Sequence, residues 1–282
     1  SFKMKVEYDK QSKPKSTKKN TKRKRRKALR PAFFAMLALF LISVLAVLSL
    51  TVFFEVESVN VSGESIYSQE AVINTAGIKD GQNLLRLNNN KISDKLEKGL
   101  PYIKEAVVTK AFPNTVNINI VPAVEFAVIE TSGKLVTVDE NFKALSIEEK
   151  RREDLIFIKG VSASSVVLGE TVTITDREQQ NILTELIKLA NDSELRVTAF
   201  DVTSTVAVSA LLEDKIYVSF GSRNHFQNKI NHLKAMLVTV DKDVESKIYL
   251  DSWTLENKKT SVIYEEITQH IAHFYGNLEK NN

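Results

Sequence analysis

The chain has 282 residues, 43% hydrophobic and 26% charged, which is enough apolar material for one large or two small folded domains and too much for a disordered chain. Its formal net charge of +4 hides an asymmetry: residues 1–30 hold 14 of the 39 Lys and Arg against only Glu7 and Asp9, while residues 55–282 hold 25 bases against 33 acids, so the folded part does not read as nucleic-acid-binding. There is no cysteine, which removes disulfides, thiolate metal sites and cysteine nucleophiles together and leaves packed cores to hold the fold.

Residues 1–31 form a basic tail; its first 21 residues lack apolar periodicity and are expected to be disordered. From Ala32 to Phe54 follow 23 residues without a charge. As a helix at about 1.5 Å per residue they span roughly 34 Å, slightly more than the ~30 Å hydrocarbon core of a bilayer. Lys22, Arg23, Lys24, Arg25, Arg26, Lys27 and Arg30 precede this stretch, and Glu55 and Glu57 follow it. The excess of positive charge before the span places the N-terminus in the cytoplasm and the rest of the chain outside. A cleaved signal peptide has a shorter apolar stretch and a small-residue cleavage site, neither of which fits here. The basic run suits topology and anionic lipid better than a nuclear-localisation role, because it abuts an apolar span.

Residues 55–122 read as a first outer module. Glu55 to Val61 alternates as a half-buried strand that Gly63 breaks. Ser68 is placed to cap a short helix carrying Val72 and Ile73 and ending before Gly77, with a turn over residues 75–81. The Asn88–Asn90 cluster opens a second helix, with Ile92, Leu96 and Leu100 on one face and a stop at Gly99 and Pro101. Ile103–Lys110 and Thr115–Val121 are strands joined through Phe112, Pro113 and Asn114. The order β-α-α-β-β suits a small α+β layer, three strands under two helices.

Residues 123–265 read as a larger, mostly antiparallel β module with two helices. Strands are expected at Glu125–Glu130, Leu135–Asp139, Lys143–Ile147 and Leu155–Lys159. Asp176 is a helix N-cap that Gln179 could complete as a capping box, ahead of a face of Ile182, Leu183, Leu186, Ile187 and Ala190. Further strands are expected at Arg196–Val202, Thr205–Leu212 and Lys215–Phe220, then a helix with Phe226, Ile230, Leu233 and Leu237 on one face. Lys247–Asp251 and Thr260–Tyr264 close the module, and Ile263, Ile267, Ile271, Phe274 and Leu278 allow an amphipathic helix running into the tail, residues 266–282.

The first module resembles the polypeptide-transport-associated (POTRA) domain of the bacterial division family FtsQ/DivIB. The stretches that carry the resemblance are VESVNVSGESIYSQEAVINTAGIKDGQNLLRLNNNKI and LPYIKEAVVTKAFPNTVNINI, in the family's order and directly after a single anchor. It extends into the second module through YVSFG at 217–221, Lys229, and IYLD at 248–251. Two departures are local: Val121-Pro122-Ala123 where the family often has an acidic and a basic residue before a proline, and Ser252-Trp253 where an aliphatic and a basic residue often follow the aspartate.

No catalytic constellation emerges. His270 and His273 lie one helical turn apart but lack a third ligand, so a solvated tail helix is expected, with His225 and His232 on the surface. Ser222 near His225 has no nucleophile elbow and no orienting acid. Asp241, Asp243 and Glu245 lack the glycine and glutamate of a calcium loop, and Gly77–Gly81 precedes no Lys-Ser or Lys-Thr pair. No cofactor, metal or enzyme activity is therefore expected. Trp253 and Tyr264 either pack the last hairpin or line an edge strand that accepts a strand from another protein. The resemblance implies the second role: a non-enzymatic, single-pass scaffold of the division septum binding FtsL-like and FtsB/DivIC-like coiled-coil partners, and septal wall synthases indirectly. The segment it implies includes Trp253, Thr254, Thr260, Val262, Ile263 and Tyr264. Two rivals compete with this reading. A membrane-anchored chaperone for exported polypeptides would use the same strand addition, and a wall hydrolase or transferase would need a cleft with convergent acids.

Overall fold

The computed structural model describes residues 22–191, 195–241 and 243–276. Two compact units are separated between Phe54 and Glu55. In the first, helix α1 runs over Lys22–Val52, beginning ten residues before the expected span and ending two residues before it does. The helix thus takes in residues 22–31 of the basic tail, where Lys, Arg, Ala and Leu are good helix formers. The tail's remainder, residues 1–21, lies outside the described residues. Pro31 sits inside α1 at the cost of one backbone bond, since it has no N–H for the carbonyl one turn back. Pro31–Ser49 is long and apolar enough to cross a membrane, and none of it is buried against protein.

The second unit begins with a three-stranded sheet ordered β1-β3-β2, from β1 (Ser58–Gly63), β2 (Ile103–Ala111) and β3 (Thr115–Pro122). Strand β1 starts three residues later than expected and includes Gly63, which ends it rather than preceding its end. It pairs parallel to β3, while β2 pairs antiparallel. Helices α2 (Gln69–Ala76) and α3 (Asn89–Gly99) cover one face and bury Val72, Ile92 and Leu96 against Val116, Ile118 and Ile120. Ser68 and Asn88 cap them, and Gly77 closes α2 with φ +70°, a conformation that costs a residue bearing Cβ. The expected turn over 75–81 thus begins only after Ala76.

The remaining strands form one nine-stranded sheet. In chain order they are β4 (Ala127–Thr131), β5 (Lys134–Val138), β6 (Ala144–Glu148), β7 (Ile156–Lys159), β8 (Val197–Asp201), β9 (Val208–Leu212), β10 (Ile216–Gly221), β11 (Ser246–Tyr249) and β12 (Ser261–Tyr264). They stand in the order β12-β11-β10-β9-β8-β7-β4-β5-β6, with β10/β11, β4/β7 and β7/β8 parallel and the other pairs antiparallel. Alternate side chains divide between two cores. Ile129, Phe200, Val218 and Ile248 face helices α4 (Arg177–Ala190) and α5 (Phe226–Leu237). Val128, Phe157, Ala199 and Leu211 face the opposite way, against helix α6 (Thr268–Tyr275).

The expected capping box at α4 does not form. Asp176 accepts from the backbone N–H of Glu178 and Gln179, but the Gln179 side chain is 2% exposed and turned inward. There its carbonyl accepts from Ser162 N–H and its amide donates to the Gly160 and Val202 carbonyls. Three backbone groups, that of Val202 buried, are satisfied this way, which outweighs one exposed N-cap bond.

The two sheets of this unit are joined by polar contacts. Lys143 Nζ donates to the carbonyls of Glu97 (2.7 Å) and Ile103 (2.5 Å), and burial pushes its ammonium below the usual lysine range. Lys104 pairs with Glu140, and Tyr102 donates to Glu125, which also holds Arg152. A Cβ at Gly169, where φ is +85°, would stand 2.1 Å from the Lys98 carbonyl oxygen. The same segment bonds to the start of β6: Ala144 N–H donates to Glu170 O, Gly169 N–H donates to Ala144 O, and Lys143 bridges to Thr171.

Candidate functional site: the β12 edge

Strand β12 ends the nine-stranded sheet and is paired on one side only, to β11, in the register Ser246↔Tyr264 through Tyr249↔Ser261. The sequence SVIY is β-branched and aromatic at three of four positions, which suits a pleated edge. Val262 is half-buried and packs onto the main core, whereas Ile263 and Tyr264 are 43% and 55% exposed on opposite faces of the strand. Both ends are fastened. Before the strand, Thr260 Oγ1 shares a 2.8 Å hydrogen bond with His232 Nε2; after it, Glu265 pairs with Lys247 and Ile267 N–H donates to Glu245 Oε2.

Trp253 does not line this edge. It is 5% exposed, sits in the main core, and has the rings of His232 and His225 6.1 and 6.2 Å from its own. The last hairpin leaves room under its long connection that an indole fills, so Trp253 supports the strand from inside; Thr254, in the turn above it, is exposed. His232 is correspondingly half-buried rather than on the surface, while His225 is exposed.

Helix α6 differs most from expectation. Far from being a solvated tail, it is docked on the sheet face opposite α4 and α5, with Ile267, Phe274 and Tyr275 each at most 2% exposed. Ile263 belongs to β12 instead of this helix, and Leu278 lies outside the described residues. His273 Nε2 lies 2.7 Å from Asp201 Oδ2, and Tyr275 donates to Asp214 with the Arg151 guanidinium 3.9 Å from its ring centroid. Burial, and then the bond to the Asp214 carboxylate, pushes the Tyr275 phenol up. His270 stacks 4.1 Å from the Tyr217 ring; burial, reinforced by the nearby Lys247 charge, pushes it down. The Asp214 and Asp201 partners lie 61 and 72 residues back in the chain, which no local pattern reveals. The apolar spacing of Ile267, Ile271 and Phe274 was the signal available.

The basic residues Lys22 to Lys27 and Arg30 occupy the first turns of α1. Among the described residues no group of three or more His, Cys, Asp or Glu could hold a metal ion.

Residues 54–121 match the family model described as POTRA domain, FtsQ-type. The chain is 25% identical over 200 residues to a cell division protein DivIB of Clostridium acetobutylicum, covering 71% of this chain and 79% of that one. The FtsQ-type POTRA match and these relatives support the FtsQ/DivIB family. A DivIB of Clostridium botulinum strain Hall is 26% identical over 228 residues, covering 77% of this chain and 85% of its own. A cell division protein FtsQ of Bradyrhizobium diazoefficiens is 24% identical over 177 residues, covering 58% and 52%. The FtsQ-type match spans the three-stranded sheet with α2 and α3, and the DivIB alignments reach well beyond it. An apolar helix, this POTRA domain and a mostly antiparallel β module make up the architecture of the chain.

Proposed function

We propose that this chain is a single-pass, non-enzymatic scaffold of bacterial cell division. In this reading α1 is anchored in the membrane with its basic end in the cytoplasm, and residues 55–282 stand outside at the septum. The POTRA domain occupies 55–122 and the β module 123–265. The β12 edge receives an extended segment of an FtsB/DivIC-like partner, with an FtsL-like protein in the same complex. The observation that carries the proposal is the strand itself: short, apolar, half-exposed, fastened at both ends and hydrogen-bonded on one side. Strand addition to such an edge takes its affinity from backbone bonds and its specificity from alternate side chains. The names of the relatives supply the division context.

The test is purification of the full chain in mild detergent, with mass spectrometry of its companions, for wild type, Val262→Pro and Ile263→Pro. In an antiparallel ladder, neighbouring residues send their N–H groups to opposite sides. One of the two prolines therefore deletes an outward N–H and leaves the β11/β12 bonds intact. Loss of two small single-pass coiled-coil companions from that folded variant is the expected result. Companions that are diverse exported polypeptides would instead favour the chaperone role, and companions indifferent to both prolines would remove β12 as the site.

A further inference from the structure

The two ends of β12 carry opposite charge. Lys258 and Lys259 stand exposed before it, and Glu265 and Glu266 stand exposed after it. Between them Thr260, Ser261, Val262, Ile263 and Tyr264 carry no formal charge. Glu256 lies at the tip of a turn closed by Thr254 N–H to Asn257 O and Asn257 N–H to Thr254 Oγ1, so the lysines are the charges nearest the strand along the chain at that end. At the other end Lys247 draws on Glu265 at 3.2 Å and leaves Glu266 exposed beside it. From Lys259 to Glu265 the edge measures roughly 20 Å at about 3.4 Å per residue, the length of an ordinary strand.

A strand added here lies about 4.8 Å away, so its own charges come directly opposite these four. Opposite charges across adjacent strands stabilise and like charges oppose, which makes the edge selective for the order of charge along its partner. Antiparallel pairing is the stronger arrangement per residue, and a four-residue edge has little bonding to spare. Building on the strand-addition site proposed above, we infer that the edge selects an extended partner segment running antiparallel to β12, basic at its N-terminal end, apolar at alternate central positions and acidic at its C-terminal end. The basic end lies beside Glu265 and Glu266, and the acidic end beside Lys258 and Lys259. Val262 and Tyr264 meet side chains on one face of that segment, and Ile263 meets those on the other.

The test uses the full chain in mild detergent and two labelled peptides of identical composition. One has two lysines, three Val-Thr repeats and two glutamates; the other has the two charged pairs exchanged. Fluorescence anisotropy is expected to show the lysine-first peptide binding about tenfold tighter at low ionic strength, the gap closing as salt approaches about 0.5 M. The variant K258E/K259E/E265K/E266K, its fold checked by circular dichroism, is expected to invert that preference. Equal binding of the two peptides to wild type, or a preference unmoved by the four reversals, overturns the charge selection. If both peptides bind equally and a proline in β12 abolishes both, the edge survives and only the selection is lost. If neither binds, or neither proline matters, the strand-addition site falls and the inference with it.

Discussion

Replacing Phe274 with alanine isolates what α6 does for the edge. An eight-residue helix has no stability of its own in water, so α6 persists by what it buries. Phe274 is 2% exposed among Phe157, Tyr275 and the strands of the second core. Truncating a buried phenylalanine costs about 3–5 kcal/mol, which exceeds what a short docked helix can spare. The helix is then expected to leave the sheet, and β12, held at its C-terminal end through Ile267 and Glu265, loses that fastening. At about 1.4 kcal/mol per factor of ten, amide exchange in α6 and β12 should accelerate by roughly two to four orders of magnitude. Amides of β9 and β10, central in the sheet, should change little. Hydrogen exchange read by mass spectrometry on residues 55–282 separates the two groups. Uniform acceleration would mean that α6 belongs to the global fold, and an unchanged β12 would refute the coupling.

Three further outcomes follow from named contacts. Lys143→Met leaves the Glu97 and Ile103 carbonyls without their shared donor, and urea unfolding of residues 55–282 should register a loss of about 2–6 kcal/mol, the sum of two orphaned acceptors. Gly169→Ala should lower stability and raise exchange in α3 and the start of β6, since its Cβ would collide with the Lys98 carbonyl. Hydrogen bonds from Ser146 and Thr137 hold the Glu148 carboxyl below its ordinary 4.5. The unfolded chain therefore takes up that proton first; the contribution is complete above about 4.5 and disappears as pH falls through the lower folded value. Glu148→Gln should flatten that part of an acid series of urea midpoints, and an unchanged slope would count against the assignment.

Local chemistry made much of this legible. The Ser68 hydroxyl and the missing Cβ of Gly77 bracket α2, Asn88 opens α3, and the alternation of Val116, Ile118 and Ile120 places β3 correctly. What stayed hidden depends on distant partners. Gln179 reads as a cap until the carbonyls of Gly160 and Val202 are brought beside it. Trp253 reads equally as a core or an edge aromatic until α5 and its N-cap bring the rings of His232 and His225 6.1 and 6.2 Å from its own. The parallel run β8-β7-β4 joins strands that are far apart in the chain, and the near-continuous apolar runs of such strands mark burial on both faces without naming a neighbour. At the site, periodicity marks β12 as a strand, but only the assembled sheet makes it terminal.

The opposite margin of the nine-stranded sheet has its own consequence. At β6 the first residue is already bonded by Gly169 and Glu170, and Lys143 bridges to Thr171 while its ammonium is drawn into the POTRA domain. A sheet open at both margins invites head-to-tail stacking of identical copies, a heterologous contact that propagates without closing. Here one margin is shut at its start by the chain's own loop. Sheet extension at this margin therefore meets the chain's own backbone at its first residue, whereas β12 offers its outer side along the whole strand.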